Sequence, residues 1–353
     1  MNKLTKVGCS ALCGSLAAIS AANAGDLTVT GGVDMSWVSL SGGAGDTGNP
    51  IGIGSNLTFK GSGELDNGWT FDLTVANLNG SSYSAAIVDL KMGGLGSLNF
   101  NQGNSGNGVH AYDDKMPTAW EESWGNGLST GVKLANGAGS SMNIAYTTPK
   151  FLGTTIQATY APEMGAADTA DKGNATASNS KDSGYDLTMH INPSMGTEIL
   201  SGLNIYLGAH YAESTDGNAT LGQDTGSGVA AATFDIGPIS FGYGVSGHVT
   251  GYKDEPGHSN GTTEYYKNHM YGVAFNVNDD LSLSYSYYDT RKEGQSGNAS
   301  QPENNRYVEV ESMQIAYSVG GASLRLAETK GTNVNFAADD NRDMTVLSVG
   351  LAF

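Results

Sequence analysis

Cysteine is almost absent from this chain of 353 residues, in which Cys9 and Cys13 are the only two. Both lie within the first 24 residues, so a chain without that segment has neither disulfide bonds nor thiolate chemistry. Proline is scarce as well, at 8 residues, while 51 glycines and many Ser, Thr and Asn would suit a disordered chain. Regularly alternating apolar residues argue against disorder. We therefore expect a fold held together by backbone hydrogen bonds and packing.

Positive charge is also in short supply. The chain has 17 Lys and Arg against 35 Asp and Glu, a formal net charge of −18. This balance argues against a nucleic-acid partner, whose phosphates require a basic surface. An acidic protein concentrates cations near any cleft or lumen that it encloses.

Long apolar runs are missing beyond the start of the chain. The first 24 residues combine a charged start, a short apolar centre and the sequence Ala22-Asn23-Ala24, the three parts of a secretory signal. A membrane anchor is the alternative, but the apolar stretch is shorter than the ~20 residues that a spanning helix needs. We predict cleavage after Ala24 and one domain over 25–353. If that domain crosses a membrane, it must do so with strands.

Apolar and polar residues alternate along nearly all of the remaining chain. The chain ends on such a stretch, 343–353, which places Leu347, Leu351 and Phe353 on one face. Short turns and long Gly/Asn/Asp-rich loops alternate between the strands. The pattern predicts sixteen strands, near 27–39, 51–65, 69–77, 84–92, 97–102, 141–149, 153–162, 183–192, 201–213, 228–237, 239–250, 265–277, 281–292, 306–318, 321–330 and 343–353.

The alternation alone fits a soluble β-sandwich as well as a membrane barrel. The polar face, however, is rich in small polar residues that suit a watery lumen, and no short repeat indicates a β-helix. Aromatic residues recur at strand ends on the apolar face, as an interfacial girdle requires: Trp37, Phe59, Trp69, Tyr146, Tyr160, Tyr211, Phe234, Phe241, Tyr271, Tyr287, Tyr317 and Phe353. We predict an all-β, sixteen-stranded antiparallel transmembrane β-barrel with short periplasmic turns and long extracellular loops.

Three segments resemble parts of one known family. Residues 55–69, Ser-Asn-Leu-Thr-Phe-Lys-Gly-Ser-Gly-Glu-Leu-Asp-Asn-Gly-Trp, are similar to the second strand and first turn of the Gram-negative general (diffusion) porins. Residues 83–102 are similar to the next hairpin of that family. Residues 141–153, Ser-Met-Asn-Ile-Ala-Tyr-Thr-Thr-Pro-Lys-Phe-Leu-Gly, are similar to the hairpin after its third loop.

The resemblance implies an outer-membrane barrel surrounded by lipid, a homotrimer, and a third long loop that folds inward and narrows the pore. That loop is expected at 103–140, the longest connection. It lacks the Pro-Glu-Phe-Gly-Gly motif of the enteric porins, and few arginines oppose it.

Strand parity selects the residues that line the pore. The wall residues expected to face the lumen are Asp34, Lys60, Asp72, Asp89, Lys91, Asp235 and Arg325, and the loop adds Asp113, Asp114, Glu121 and Glu122. We expect the three basic wall residues to face the loop carboxylates and to create a transverse field. Alternatively, the loop carboxylates are merely solvated at the outer rim.

The expected function is passive diffusion of ions and small hydrophilic solutes, with cations preferred and no cofactor. An enzyme is disfavoured because no histidine has a partner at motif spacing. The acidic residues near Asp340 lack the pattern of a calcium-binding EF-hand, so no metal is expected. Two alternatives stay open: a substrate-specific porin, for which Trp120 and Trp124 in the loop would suit a sugar, and an adhesin or receptor acting through its loops.

Overall fold

The computed structural model describes residues 24–43, 48–79, 81–103, 106–165, 181–193, 200–214, 223–251, 263–294 and 306–353. The predicted signal sequence, apart from Ala24, and parts of several predicted long loops lie outside these residues.

Sixteen antiparallel strands form a closed barrel in which each strand pairs with its neighbours in sequence and β16 pairs with β1. The fold class predicted from the alternation is confirmed, with strand bounds close to those expected. The strands are β1 (Ala24–Gly42), β2 (Ile51–Glu64), β3 (Thr70–Leu78), β4 (Ser81–Lys91), β5 (Ser97–Asn101), β6 (Asn143–Thr147), β7 (Thr154–Ala161), β8 (Lys181–Ile191), β9 (Leu203–Ser214), β10 (Thr225–Ile236), β11 (Ile239–Val249), β12 (Thr263–Asn276), β13 (Leu281–Gly294), β14 (Arg306–Val319), β15 (Ala322–Thr332) and β16 (Arg342–Ala352).

Short 3-10 turns interrupt the connections at Gly93–Leu95, Val109–Tyr112, Ala138–Ser140 and Val334–Phe336. Within the described residues, no helix has the length and apolar character that a bilayer crossing demands.

The hairpin between β2 and β3 shows how local sequence sets the register. The Gly68 N–H donates to the Leu65 carbonyl at 2.8 Å, and the Leu65 N–H donates to the Trp69 carbonyl at 2.7 Å. Gly68 has a φ of +81°, which a residue without a side chain adopts at little cost. The turn predicted at Asp66-Asn67-Gly68 therefore forms and aligns Glu64 with Thr70.

Alternate side chains point out of the barrel, and most of these are apolar. Ile53, Leu187 and Met313 are 76%, 60% and 65% exposed on this face. Outward tyrosines on neighbouring strands lie close together, with ring centroids 5.1 Å apart for Tyr160 and Tyr185. Such a surface is apolar where a soluble protein is polar, and it is the surface that a barrel presents to lipid.

An ion pair spans the seam where the barrel closes. Arg325 on β15 donates from Nη1 to Oδ1 of Asp34 on β1 at 2.9 Å, reaching over the intervening β16. Gly350 of β16 lies beneath the pair, where a Cβ would be only 2.6 Å from the Asp34 Oδ1 and 2.7 Å from the Arg325 Nη2. The absence of a side chain at this position lets the pair form.

The assignment of faces predicts that a new arginine will lower the stability of the barrel far more on the outward face than on the inward face. Leu326→Arg places a cation on the outward face of β15, where Leu326 is 40% exposed. A cation on the lipid face near mid-membrane costs about 2–4 kcal/mol, so the free energy of unfolding should fall by that amount in urea titrations in lipid vesicles. Ser62→Arg adds the same group to the exposed inward face of β2 and should change it by less than about 0.5 kcal/mol. Equal losses in both variants would contradict the assignment.

Candidate functional site: the lumen and the inward segment

The long connection between β5 and β6 runs inside the barrel. Its residues 106–140, here called the inward segment, reach the opposite wall, where the Ala119 N–H donates to the Ser284 hydroxyl at 2.8 Å. The N–H groups of Trp120 and Glu121 both donate to Oε1 of Gln314 on β14, at 3.1 Å each. The segment therefore crosses the lumen and is held at its far side by β13 and β14.

Further contacts continue along the far wall. The Asn126 side chain donates to the hydroxyls of Ser312 and Thr329, each at 3.0 Å. On the way back, the Lys133 carbonyl accepts from the Asn268 side chain at 2.9 Å. These bonds span four strands, β12 to β15, so the inward segment is attached along its length.

Apolar residues of the inward segment pack against apolar residues of the wall. Met116 forms a buried cluster with Met270 and Tyr288, while Leu128 packs with Met344 and Val346. Parts of the inward face of β8–β16 are therefore apolar, in addition to the small polar residues that the sequence pattern indicated. There the inward face is covered, because apolar wall positions are matched by apolar positions of the segment.

The water-accessible part of the lumen lies on the other side, against the inward faces of β1–β4, here called the open wall. The register places Asp34, Lys60, Asp72 and Lys91 there, on the same face. The Lys91 side chain is 60% exposed and that of Asp34 53% exposed. A solute crossing the barrel would therefore pass between the inward segment and a charged wall.

Two of the three predicted basic wall residues are paired with carboxylates of other wall strands. Lys91 Nζ lies 2.5 Å from the Asp72 carboxylate, and Arg325 pairs with Asp34 as described above. These two cations thus have carboxylate partners on the wall itself, and the transverse field expected between the basic wall residues and the loop carboxylates stays a prediction. Lys60 forms no ion pair within the described residues. Asp89 accepts a hydrogen bond from the Asn99 side chain at 2.6 Å.

Arg325 also contacts the inward segment, through an aromatic ring. Its guanidinium carbon lies 5.5 Å from the centroid of the Trp120 ring, within the range of a cation–π interaction. The guanidinium is thus held between the Asp34 carboxylate and the Trp120 ring. This contact ties the inward segment to the wall at the edge of the open passage.

The four predicted carboxylates of the inward segment have different surroundings. The Asp113 side chain is 9% exposed and pairs with His110 at 2.9 Å, a bond that raises the pKa of His110. Asp114 is half exposed and pairs with its neighbour Lys115 at 3.0 Å. Asp113 is therefore almost shielded from open water, in contrast to the lining role expected of it.

Glu121 and Glu122 are half-buried. Burial, and then a hydrogen bond with Glu121, raise the pKa of Glu122 to about 8. Two adjacent carboxyl groups in a partly dry site hold one proton between them at neutral pH, since two charges there repel each other. The pair then contributes a single negative charge.

Two histidines have partners that no motif spacing revealed. His210 Nδ1 lies 2.6 Å from Oδ1 of Asp186, and His248 Nδ1 lies 2.8 Å from the Ser227 hydroxyl. In each pair, the two residues lie directly opposite each other on adjacent strands. Only the strand register, counted from the turns, could have found them. Asp186 and His210 are buried beneath the inward segment, so a substrate in the lumen would not reach them.

The acidic residues weighed as a cation site are engaged in other contacts. Asp340 pairs with Arg342 through two bonds of 2.6 and 2.9 Å, which lower the pKa of Asp340. Among the described residues, no group of three or more His, Cys, Asp or Glu is placed to hold a metal ion.

A known protein family matches almost the whole chain. The profile of the Gram-negative porin family matches residues 8–353. Among curated proteins, no sequence matches the chain.

Solved structures share the fold at low sequence identity. The anion-selective porin from Comamonas acidovorans superposes with a TM-score of 0.64 at 14% identity, covering 93% of this chain and 99% of that one. Salmonella typhi OmpF, in complex with daunomycin, gives a TM-score of 0.65 at 13% identity over 94% and 98%. The trimer form of Vibrio cholerae OmpT gives 0.63 at 13% identity over 94% and 100%. At these identities the structures support the fold alone, whereas the profile covers nearly the whole sequence: the chain belongs to the Gram-negative porin family and is an integral β-barrel of the outer membrane.

Proposed function

We propose that this outer-membrane channel lets ions and small hydrophilic solutes diffuse passively and that it prefers cations. The observation that carries the proposal is the inward segment, which covers one side of the lumen and leaves a charged, exposed passage along β1–β4. Passive diffusion requires a hydrated passage and a field at its narrowest part, and no reactive group. Residues 103–140 then act as the constriction loop.

The cation preference rests on the balance of charges around the passage. Carboxylates outnumber cations there even when Glu121 and Glu122 share a proton. The acids are Asp34, Asp72, Asp89, Asp114 and the Glu121–Glu122 pair, against Lys60, Lys91, Lys115 and Arg325. Because most of these groups are paired, we expect a moderate preference and not a strong one.

General diffusion is favoured over a sugar-specific channel by the state of the lumen aromatics. Trp120 is covered by Arg325, and Trp124 packs on the cluster of Met116 and Tyr288. Tyr206 is stacked on His190 with ring centroids 4.8 Å apart. None of these rings offers an open face for a sugar. Catalysis forms no part of the proposal, because the buried Asp186–His210 pair is out of reach of solutes.

Because none of these aromatic rings offers an open face, liposome swelling should follow solute size for sugars and amino acids alike. Selective uptake of one sugar would contradict general diffusion.

Two substitutions of opposite sign test the charge selectivity. At about pH 9, where both carboxyls of the pair are charged, Glu121→Gln removes one negative charge beside the passage and should lower the cation-to-anion permeability ratio. Lys60→Gln removes a cation with no ion-pair partner in the described residues and should raise it. A unit charge about 8 Å from a permeating ion in water is worth about 0.5 kcal/mol, with opposite sign for a cation and an anion, so each ratio should change roughly fivefold at low salt.

Reversal potentials under a salt gradient across planar bilayers measure this ratio. High salt provides the control, since screening should shrink the difference between the two variants. A wild-type protein that prefers anions, or variants that shift in the same direction, would refute the proposed selectivity.

The raised pKa of Glu122 predicts a selectivity that depends on pH. Below about pH 8 the carboxyl keeps its proton, and above it a second negative charge appears beside Glu121. The cation-to-anion permeability ratio should therefore rise between about pH 7 and 9. In Glu122→Gln the rise should be absent, while a rise that persists in this variant would assign it to another group.

We also propose that the protein is a homotrimer whose subunits contact each other through the outward side of β1–β4. Strand β3 pairs with β2 only from Asn56 to Glu64, so residues 51–54 extend beyond it, with Ile51 and Ile53 69% and 76% exposed. Unpaired strand edges invite a partner and are poorly tolerated in lipid. Described outward side chains of β1–β4 carry no charge, whereas β14 carries Glu309 and Glu311. The related fold of Vibrio cholerae OmpT is known in a trimer form.

Ile53→Asn should weaken this contact, because an amide replaces an apolar group at the proposed interface. Native mass spectrometry in detergent should show monomer replacing trimer. Val319→Asn is the matched control on β14, where Val319 is 57% exposed, and it should leave the trimer intact. If the wild-type protein is monomeric, or if both variants stay trimeric, the interface is elsewhere.

A further inference from the structure

One buried carboxylate holds both ends of the inward segment. Asp186 on β8 accepts the Val109 N–H at Oδ2, 2.8 Å away, and the Ala138 N–H at Oδ1, 3.0 Å away. His210 on β9 approaches the same Oδ1 at 2.6 Å, and the Asp186 side chain has no exposed surface. Two backbone positions far apart in sequence are thus bound to a single side chain of the wall.

The local sequence fits this contact at both ends. A glycine precedes each donor, and a Cβ at Gly108 or Gly137 would lie 1.9 or 2.3 Å from the Asp186 Oδ2. Any larger residue would push the backbone off the carboxylate. The sequences Gly108-Val109 and Gly137-Ala138 therefore provide matching close approaches to Asp186.

The position of the whole inward segment depends on where its two ends are placed. Between Val109 and Ala138 the chain crosses the lumen to Gln314 and returns past Asn268. Those far contacts hold the middle of the segment. Asp186 holds the two ends of the segment at Val109 and Ala138, here called its roots, beside each other. A shift of the roots changes the distance between the segment and the open wall, which is the width of the passage.

We propose that Asp186 is the positioning residue that sets the width and steadiness of the channel, acting through the backbone of Val109 and Ala138. The inference rests on the proposed diffusion function. It does not depend on the barrel's own stability, because the strands around Asp186 are paired through their backbones, β8 with β7 and with β9.

Asp186→Asn is the direct test. The amide keeps one acceptor oxygen and turns an N–H₂ group towards a backbone N–H donor, so one root loses its bond. Amide hydrogen exchange at Val109 or Ala138 should become roughly tenfold faster or more, with the β8 and β9 amides unchanged. In planar bilayers, the open-channel current noise should rise by roughly severalfold, and the mean conductance should change.

Gly137→Ala provides a second route that leaves the charge of Asp186 in place. Gly137 has an extended backbone, φ −154°, which alanine adopts freely, so the nearest obstacle is the contact with Asp186. The same exchange and noise changes are expected. This variant keeps the test decisive if Asp186→Asn does not fold.

Asp66→Asn serves as the control, since it removes an equal charge from an exposed position in the turn between β2 and β3. Its noise and its exchange at Val109 and Ala138 should match the wild type. Wild-type behaviour in both folded test variants would overturn the proposal, and so would faster exchange spread evenly over β8 and β9. A wild-type protein that does not conduct would instead refute the proposed function, while the exchange measurement would still test the anchor.

Discussion

The pairing of every backbone polar group in the membrane is the constraint on which the rest of this structure depends. Hydrocarbon offers no partner to an N–H or C=O group, so a sheet that crosses it must close on itself. Here closure is the pairing of β1 with β16, from Gly32↔Ala352 to Gly42↔Arg342. Once the ring is closed, each residue faces either inward or outward, and a slip by one residue in any strand would exchange the two faces. The face that meets lipid therefore determines the face that meets solutes.

Because a slip by one residue would exchange the two faces, the sequence pattern alone predicts much of the fold. Alternation and turn residues such as Gly68 located the strands, and parity placed Lys60, Asp72, Asp89 and Lys91 on the inward face. A charge on the lipid face costs free energy, so the inward orientation is favoured at these positions. The residues that parity could not assign are those of the inward segment, which has no period. Its carboxylates, such as Asp113, were identified as a group, but their individual surroundings were not.

Contacts between side chains of different strands could not be predicted from the sequence, for a different reason. Lys91 meets Asp72, and His210 meets Asp186, because they lie opposite each other on adjacent strands, and their separations of 19 and 24 residues match no motif. Finding such pairs requires the register of each hairpin to the residue. The same holds for apolar packing inside the barrel. An inward Met270 reads as an exception to a polar face until Met116 is seen to cover it.

Covering part of the lumen changes how the net charge of −18 should be understood. A solute does not sample the whole chain but only the groups beside the open passage, and most of these are neutralised by a neighbour or by a shared proton. What remains is a small imbalance, set by Lys60, by Glu121 and Glu122, and by how close the inward segment lies to the open wall. Selectivity in this barrel is therefore a property of position as much as of composition. A segment held at its roots by one carboxylate and at its middle by Gln314 keeps those few charges at constant distances from a passing ion, which a free loop of the same composition would not do.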